Sequence, residues 1–547
     1  MSERERADAL VERYWDQLLA LEPMLGTSCG DERFDDRLPD PTEAGRAKSE
    51  AIHRAALDES RSIDRGSLDE IGRTTLDVLD SIAERYVAEL DDRIDRLTPA
   101  SQLWGPAQLI GEIASVQRTD TPERLDRYEA RLRAVPAHLE AWAEVAREGI
   151  ATGVTSPRPV AERALGQVER FLALPADESP ALACLDDDPA ARERIAATVR
   201  DVVAPAYETY LGVMRDYLPH ATETIAISAL PGGEEMYATQ VMAWTSLRLD
   251  PAAVHAIGNE RFDAIQQERF EVAARLGFAS PDEALASHRA SGKDTPESAE
   301  ALVEFVRDQV ARSWEIAPAW FGRLPRESCE VRAVEAFREA DMPAAFYNAP
   351  TEDGSRPGTY YINTYDLPSR DLHVIAGVTA HEAIPGHHMQ IALEQEFPDR
   401  PRLRRFGGML AGSAFAEGWG LYSERLAEEM GLYLDDWERL GMLENQALRA
   451  ARLITDTGIH ALGWTREAAI AKLEEGGSPH TDSVIEVDRY IAMPAQALSY
   501  MIGMIEIEKA RAAAEARDGA AFSLRDFHDR LLSLGSLPLP SLARELG

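Results

Sequence analysis

His381-Glu382-Ala383-Ile384-Pro385-Gly386-His387-His388 is the stretch on which the reading of this chain turns. A histidine followed at once by a glutamate, with further imidazoles close behind, is a donor set able to hold a metal ion beside a carboxylate. In the usual helical version the second histidine follows at i+4. Here the gap is two residues longer and encloses Pro385 and Gly386. In a regular helix His381 and His387 would point about 120° apart and stand about 9 Å apart along the axis. His381 and His388 would share a face, but about 10.5 Å apart. Neither pair could grip one ion at about 2.0–2.1 Å, so the helix is expected to be irregular here. Pro385 has no N–H to bond back to His381, and its ring clashes with that carbonyl; Gly386 accepts unusual backbone angles. A two-residue bulge drops His387 into the i+4 place, whereas His388 needs a three-residue bulge. The smaller bulge favours His387 as the ligand and leaves His388 behind it or facing a substrate.

A third protein ligand is needed if a water is to take the fourth position on a zinc ion. The next marked helix runs Ala416-Glu417-Gly418-Trp419-Gly420-Leu421-Tyr422-Ser423-Glu424. Glu417 lies thirty residues past His387, enough for one helix to end and another to return. The glycines flanking Trp419 each cost a helix about 1 kcal/mol, which points to close packing against a neighbour. Glu424, two turns beyond Glu417, is placed to orient a ligand histidine. With Glu382 as a proton acceptor beside one zinc ion, these residues are the parts of a metal hydrolase.

Two further groups carry chemistry. Asp456 and His460 stand at i, i+4, close enough to touch, and His460 is a candidate donor to a developing oxyanion. Arg489, Gln496 and Tyr500 share a helical face at offsets of seven and four, with Pro494 expected to kink the run. The Tyr500 hydroxyl suits an oxyanion, and an arginine suits a peptide carboxylate. His480 and Tyr490 are weaker candidates in the same segment.

The apolar content of 45% allows a large core, and no linker, repeat or low-complexity run divides the 547 residues. The net charge of −37, from 95 acidic against 58 basic residues, argues against nucleic acid and against anionic membranes. Cys29, Cys184 and Cys329 are too few and scattered for a disulfide framework. The N-terminus runs straight into a polar amphipathic pattern, and no long apolar run follows. A cytoplasmic protein is the expectation; oligomeric state is left open.

The first 325 residues read as helices, with stripes such as Leu302, Val306, Val310 and Trp314 closed by Pro318. Between about 330 and 365 the texture changes. Val331 to Phe337, Ala344 to Tyr347 and Gly358 to Thr364 read as short strands, separated by turns at Asp341-Met342-Pro343 and Thr351-Glu352-Asp353-Gly354. The edge of such a sheet could pair with an extended peptide, and Tyr360 to Asn363 is the strand expected to hold a substrate backbone. Helices resume at Asp371. The expected organisation is a helical part over 1–230, forming lid and channel wall, and a catalytic part over 231–547, within one continuous unit.

The segment His381 to Gln390 resembles the signature of the bacterial family catalogued as Domain of Unknown Function 885. So do Leu230-Pro231-Gly232-Gly233 with Tyr237, Asp353-Gly354-Ser355-Arg356-Pro357-Gly358, Asn363-Thr364, Glu417-Gly418-Trp419, Asp456-Thr457-Gly458-Ile459-His460, and Arg489-Tyr490 through Gln496 to Tyr500. The resemblance implies a zinc peptidase of the gluzincin type. It also implies a mostly α fold similar to thimet-type oligopeptidases, angiotensin-converting enzyme and Taq-type carboxypeptidases, with two helical lobes around a deep channel and a small sheet. It further implies zinc on His381, His387 and Glu417, with Glu382 as general base. The expected activity is hydrolysis of short peptides. The alternatives are an inactive peptide-binding protein on the same fold, or a metal hydrolase of non-peptide amides or esters.

Overall fold

The computed structural model describes residues 1–185, 188–334, 339, 342–352, 354 and 356–547. The fold is mostly α-helical with one small three-stranded sheet, as the sequence periodicity predicts. Three early helices, α1 (Glu3–Leu21), α2 (Glu43–Arg61) and α3 (Glu70–Asp91), turn Leu10, Tyr14, Leu57, Leu76 and Ile82 inward. These side chains join the same core as Trp419 and Leu453 from the far end of the chain. Residues 100–221 gather a second core around Ile113, Tyr128, Leu132, Tyr207 and Tyr210. The segment before about residue 230 therefore contributes to two cores.

The stripe read at Leu302, Val306 and Val310 lies on α5 (Ala299–Ile316), after α4 (Pro251–Arg275), and packs on the sheet and on Ile375. In the sheet, β1 (Glu330–Ala333) runs parallel to β3 (Thr359–Ile362), and β2 (Ala345–Asn348) runs antiparallel on the other side of β3. The expected run of the first strand to Phe337, and the turn residues Asp341, Asp353 and Ser355, fall outside the described residues.

Six helices frame the histidine motif: α6 (Leu372–Glu382), α7 (His387–Gln395), α8 (Ala414–Glu429), α9 (Asp436–Leu462), α10 (His480–Ala492) and α11 (Ser499–Asp518). The side chain of Asp435 caps the start of α9 by accepting from the Trp437 and Glu438 amides, and Gly463 at φ 71° ends it. α9 lies along α4 and α6, while α8 lies along α11. The last pair approaches through glycine: a Cβ on Gly418 would stand 2.5 Å from the Gly503 Cα. The glycines around Trp419 thus serve helix contact, as their cost in a helix suggests.

Candidate metal centre

The chain does not bulge at Pro385; it breaks. α6 ends at Glu382, Ala383 and Gly386 leave helical geometry at ψ −113° and −129°, and α7 starts afresh at His387. A proline without an N–H, next to a glycine whose Cβ would stand 1.9 Å from the His381 carbonyl oxygen, explains why no helix runs through. The Trp419 indole N–H secures the break by donating to the Pro385 carbonyl at 2.9 Å. Two helix ends therefore face each other, and the His381 and His387 rings meet edge to face with centroids 4.7 Å apart.

Glu417 completes the group. One of its carboxylate oxygens lies 3.6 Å from His381 Nε2 and 3.5 Å from His387 Nε2. These separations are too long for hydrogen bonds. Two atoms each about 2.0–2.1 Å from an ion at a tetrahedral angle stand about 3.3 Å apart, so the spacing suits a shared cation. The tautomer argues the same way. His381 Nδ1 lies 2.9 Å from Glu424 Oε1, and a carboxylate can only accept, so Nδ1 carries a proton and Nε2 is the nitrogen turned toward Glu417. Nε2 facing the Glu417 carboxylate is stable with positive charge at that nitrogen, either a proton or a bound cation. Burial lowers the His381 pKa, but Glu417 and Glu424 outweigh it and raise it to about 9. Burial likewise opposes ionisation of Glu417, yet the two imidazoles hold its carboxyl far below the usual range. The cluster suits positive charge, and its three donor atoms stand close enough together to hold one metal ion.

Gly420 makes room for it. A Cβ there would stand 2.6 Å from His381 Nε2, so only glycine lets the ring lie on α8. Glu424 is fully buried, and its other oxygen accepts from Gln446 Nε2 at 3.2 Å, which fixes the carboxylate behind His381. Glu382 is half-buried, and no hydrogen bond among the described residues engages its carboxylate.

His388 turns away. Its Nε2 donates to the Glu327 carbonyl at 3.0 Å and its Nδ1 accepts from the Tyr347 hydroxyl at 2.9 Å, leaving no lone pair for a metal. Burial pushes its pKa down to about 4, which keeps it neutral. It is neither a ligand nor substrate-facing; it pins α7 to β2. His460 is also spent in the core: its Nδ1 accepts from the Ile227 amide at 3.3 Å and its Nε2 donates to the Tyr490 carbonyl at 3.0 Å. Fully buried, it cannot serve an oxyanion. Asp456 does not touch it in these bonds; its carboxylate accepts from the Tyr237 hydroxyl at 2.7 Å and from the Ala495 amide at 2.9 Å. Tyr360 and Asn363 are corrected as well. β3 is the central strand with both edges paired, Tyr360 is fully buried, and Asn363 Nδ2 donates to the carbonyls of Glu339, Met342 and Pro343. Neither can hold a substrate backbone. His480 is an exposed partner of Glu474.

Tyr500 stays at the site, its ring 6.3 Å from that of His381. The helix carrying Arg489 and Tyr500 is broken rather than kinked. α10 ends at Ala492, Ala495 adopts φ 68°, and α11 begins at Ser499. Arg489 still reaches Gln496 Oε1 at 2.8 Å. The arginines Arg449 and Arg452, which the sequence reading missed, face the same Tyr500 ring at 6.0 and 4.4 Å. Their signal was present: Asn445, Arg449, Arg452 and Asp456 form a polar stripe, at helical offsets of four, three and four, on a helix that is otherwise core.

A second histidine cluster is built differently. His288, Asp294 and His373 bring donor atoms within 4.8 Å of one another. His373 Nδ1, however, is at hydrogen-bonding distance from Asp294, 2.7 Å, and its Nε2 faces Glu444 at 3.5 Å. Burial lowers the His373 pKa, but these two carboxylates raise it to about 10, making an imidazolium clamped between them. A cavity of about 480 Å³ beyond α8 shares no residue with either cluster; its Arg425 and Arg511 are already paired with Glu268 and Glu429.

A family model described as bacterial protein of unknown function, DUF885, matches residues 23–546. The chain belongs to the DUF885 family. No curated protein matches it. Among solved structures, a "putative lipoprotein" from Colwellia psychrerythraea is 26% identical, with a TM-score of 0.91 over 100% of this chain and 99% of its own. A "putative lipoprotein" of unknown function from Shewanella oneidensis, 20% identical, shares the fold at a TM-score of 0.75 over 98% of each chain. Both descriptions refer to a lipid-anchored class of protein, so the cytoplasmic expectation drawn from the N-terminus is withdrawn. Among the described residues, no helix is long and apolar enough to cross a membrane.

Proposed function

We propose that this member of the DUF885 family is a zinc-dependent peptidase acting on short peptides. The observation that carries the reading is the convergence of His381 Nε2 and His387 Nε2 on one Glu417 oxygen at 3.6 and 3.5 Å, with the uncommitted carboxylate of Glu382 next in sequence to His381. Two imidazoles and one carboxylate fit zinc and leave a position open for chemistry. Zinc held there would polarise a substrate carbonyl and make water a better nucleophile.

The chain's own residues supply the rest. Glu424 keeps the proton of His381 on Nδ1, so that Nε2 faces the ion. Glu382 takes the proton of the attacking water and passes it to the leaving amine. Tyr500, whose hydroxyl no hydrogen bond among the described residues claims, donates to the developing oxyanion. β2 is an edge strand of the sheet, tied to α7 through Tyr347 and His388, and an extended substrate would pair along such an edge.

Metal analysis together with Glu382→Gln tests the reading. Purified protein should carry about one zinc per chain, and the variant should keep the metal while peptide hydrolysis falls by about 10²- to 10⁴-fold. Full activity in Glu382→Gln, or no affinity for zinc, would overturn it. Peptide binding that survives chelation, with no hydrolysis under any condition, would identify a binding protein instead.

A further inference from the structure

Beside the metal cluster lies a largely buried pair of arginines whose charges do not balance. Glu486 Oε2 alone receives Arg452 Nη2 at 2.9 Å, Arg489 Nη2 at 2.9 Å and the Tyr490 hydroxyl at 2.6 Å. Two guanidiniums thus share one carboxylate. The nearby Asp456 is committed to Tyr237 and Ala495, and Glu424 to His381 and Gln446. Donors are left over: Arg452 Nη1 and Arg489 Nε are buried without a partner, and the Arg452 side chain is only 7% exposed. In a chain of net charge −37, a buried arginine pair with spare N–H groups is not there for solubility.

Its position is informative. The Arg452 guanidinium lies 4.4 Å over the Tyr500 ring, and that ring is 6.3 Å from the ring of His381. Arg452 therefore stands within about three residues of extended chain from His381, and Arg489 lies beside it on the shared Glu486 oxygen. Gln496 holds the Arg489 fork in place at 2.8 Å. A planar fork with free N–H groups recognises a carboxylate.

We propose that Arg452 and Arg489 capture the free C-terminal carboxylate of the substrate, so that the site takes short peptides with an unblocked C-terminus and releases a short C-terminal fragment. This rests on the peptidase reading above for the cleavage, though not for the capture. It goes beyond that reading by making Arg452, on α9, a substrate-binding residue and by fixing the class of peptide accepted.

The test uses three matched peptides: an N-acyl tripeptide acid, its C-terminal amide, and an amide ending in glutamate. Binding is measured by calorimetry on the Glu382→Gln protein, and hydrolysis is followed on the native protein. The acid should bind about 10- to 100-fold more tightly than its amide and be hydrolysed with a kcat/KM higher by a similar factor. Arg489→Gln and Arg452→Gln should each erase most of that preference, and Arg489→Lys should keep part of it. Equal binding of acid and amide to folded protein overturns the proposal, and that contrast needs no arginine variant to fold. A glutamate-ended amide bound as well as the acid overturns the C-terminal assignment. Selective binding of the acid with no hydrolysis overturns the peptidase reading and leaves the carboxylate subsite standing.

Discussion

His387 and His388 are adjacent imidazoles with opposite fates, and hydrogen bonding decides between them. A ligand needs a free lone pair, and His388 has given both nitrogens to Tyr347 and Glu327. His387→Gln should therefore abolish zinc binding in a metal titration. His388→Gln should leave the stoichiometry at one ion and lower stability by about 1–3 kcal/mol in urea unfolding, because it strips buried partners of their bonds. Loss of metal in the His388 variant instead would reverse the assignment. Glu424 acts one step further back. Glu424→Gln offers a neutral amide to His381 Nδ1 and should weaken zinc affinity about 10- to 100-fold in a chelator competition. Only part of this was readable beforehand. His381, Glu382 and Glu417 stand out by type and spacing, but where His388 and His460 spend their nitrogens depends on partners dozens to hundreds of residues away.

At the scale of elements, the site is made of interruptions. α6 and α7 face each other across the Pro385 break, and α10 and α11 across the turn at Ala495. Both interruptions were signalled by proline, yet the sequence suggested a bulge and a kink where the chain breaks outright. The reason is tertiary: Trp419 holds the first gap through the Pro385 carbonyl, and Asp456 holds the second through the Ala495 amide. Gly420→Ala tests how tightly α8 must approach. Its Cβ would press into the His381 ring, and we expect loss of zinc affinity with at most about 1–3 kcal/mol of lost stability, read by metal titration and thermal melting. Asp456 carries a pH signature. Burial pushes its carboxyl up to about 7, against the bonds from Tyr237 and Ala495. Because this lies above the usual value of about 3.9, the protonated form supports the fold. Its contribution is complete below about pH 4 and fades as pH rises through about 7. Asp456→Asn should remove this slope, at most about 1.4 kcal/mol per pH unit, from urea midpoints measured between pH 4 and 8; an unchanged slope would show that Asp456 is ionised throughout.

Across the whole molecule, the second core over residues 100–221 is tied to α10 at one buried carboxylate. Asp488 accepts from Arg466 Nε at 2.7 Å and from Arg163. Asp488→Asn should loosen that junction by about 1–3 kcal/mol, seen as faster amide exchange over 158–173 and 480–492 with the first core unchanged. Since α10 carries Arg489, such loosening should also raise KM for any substrate that Arg489 holds. The helical class, the small sheet and the identity of the ligand-type residues were legible from the chain alone, because they follow from local periodicity, turn chemistry and the side-chain types themselves. The buried arginines at Tyr500, the burial of Tyr360 and Asn363, the retirement of His388 and His460 and the sharing of two cores by the first 230 residues were not. Each depends on which distant group takes up a lone pair, a proton or a buried face, and only packing in three dimensions assigns those partners.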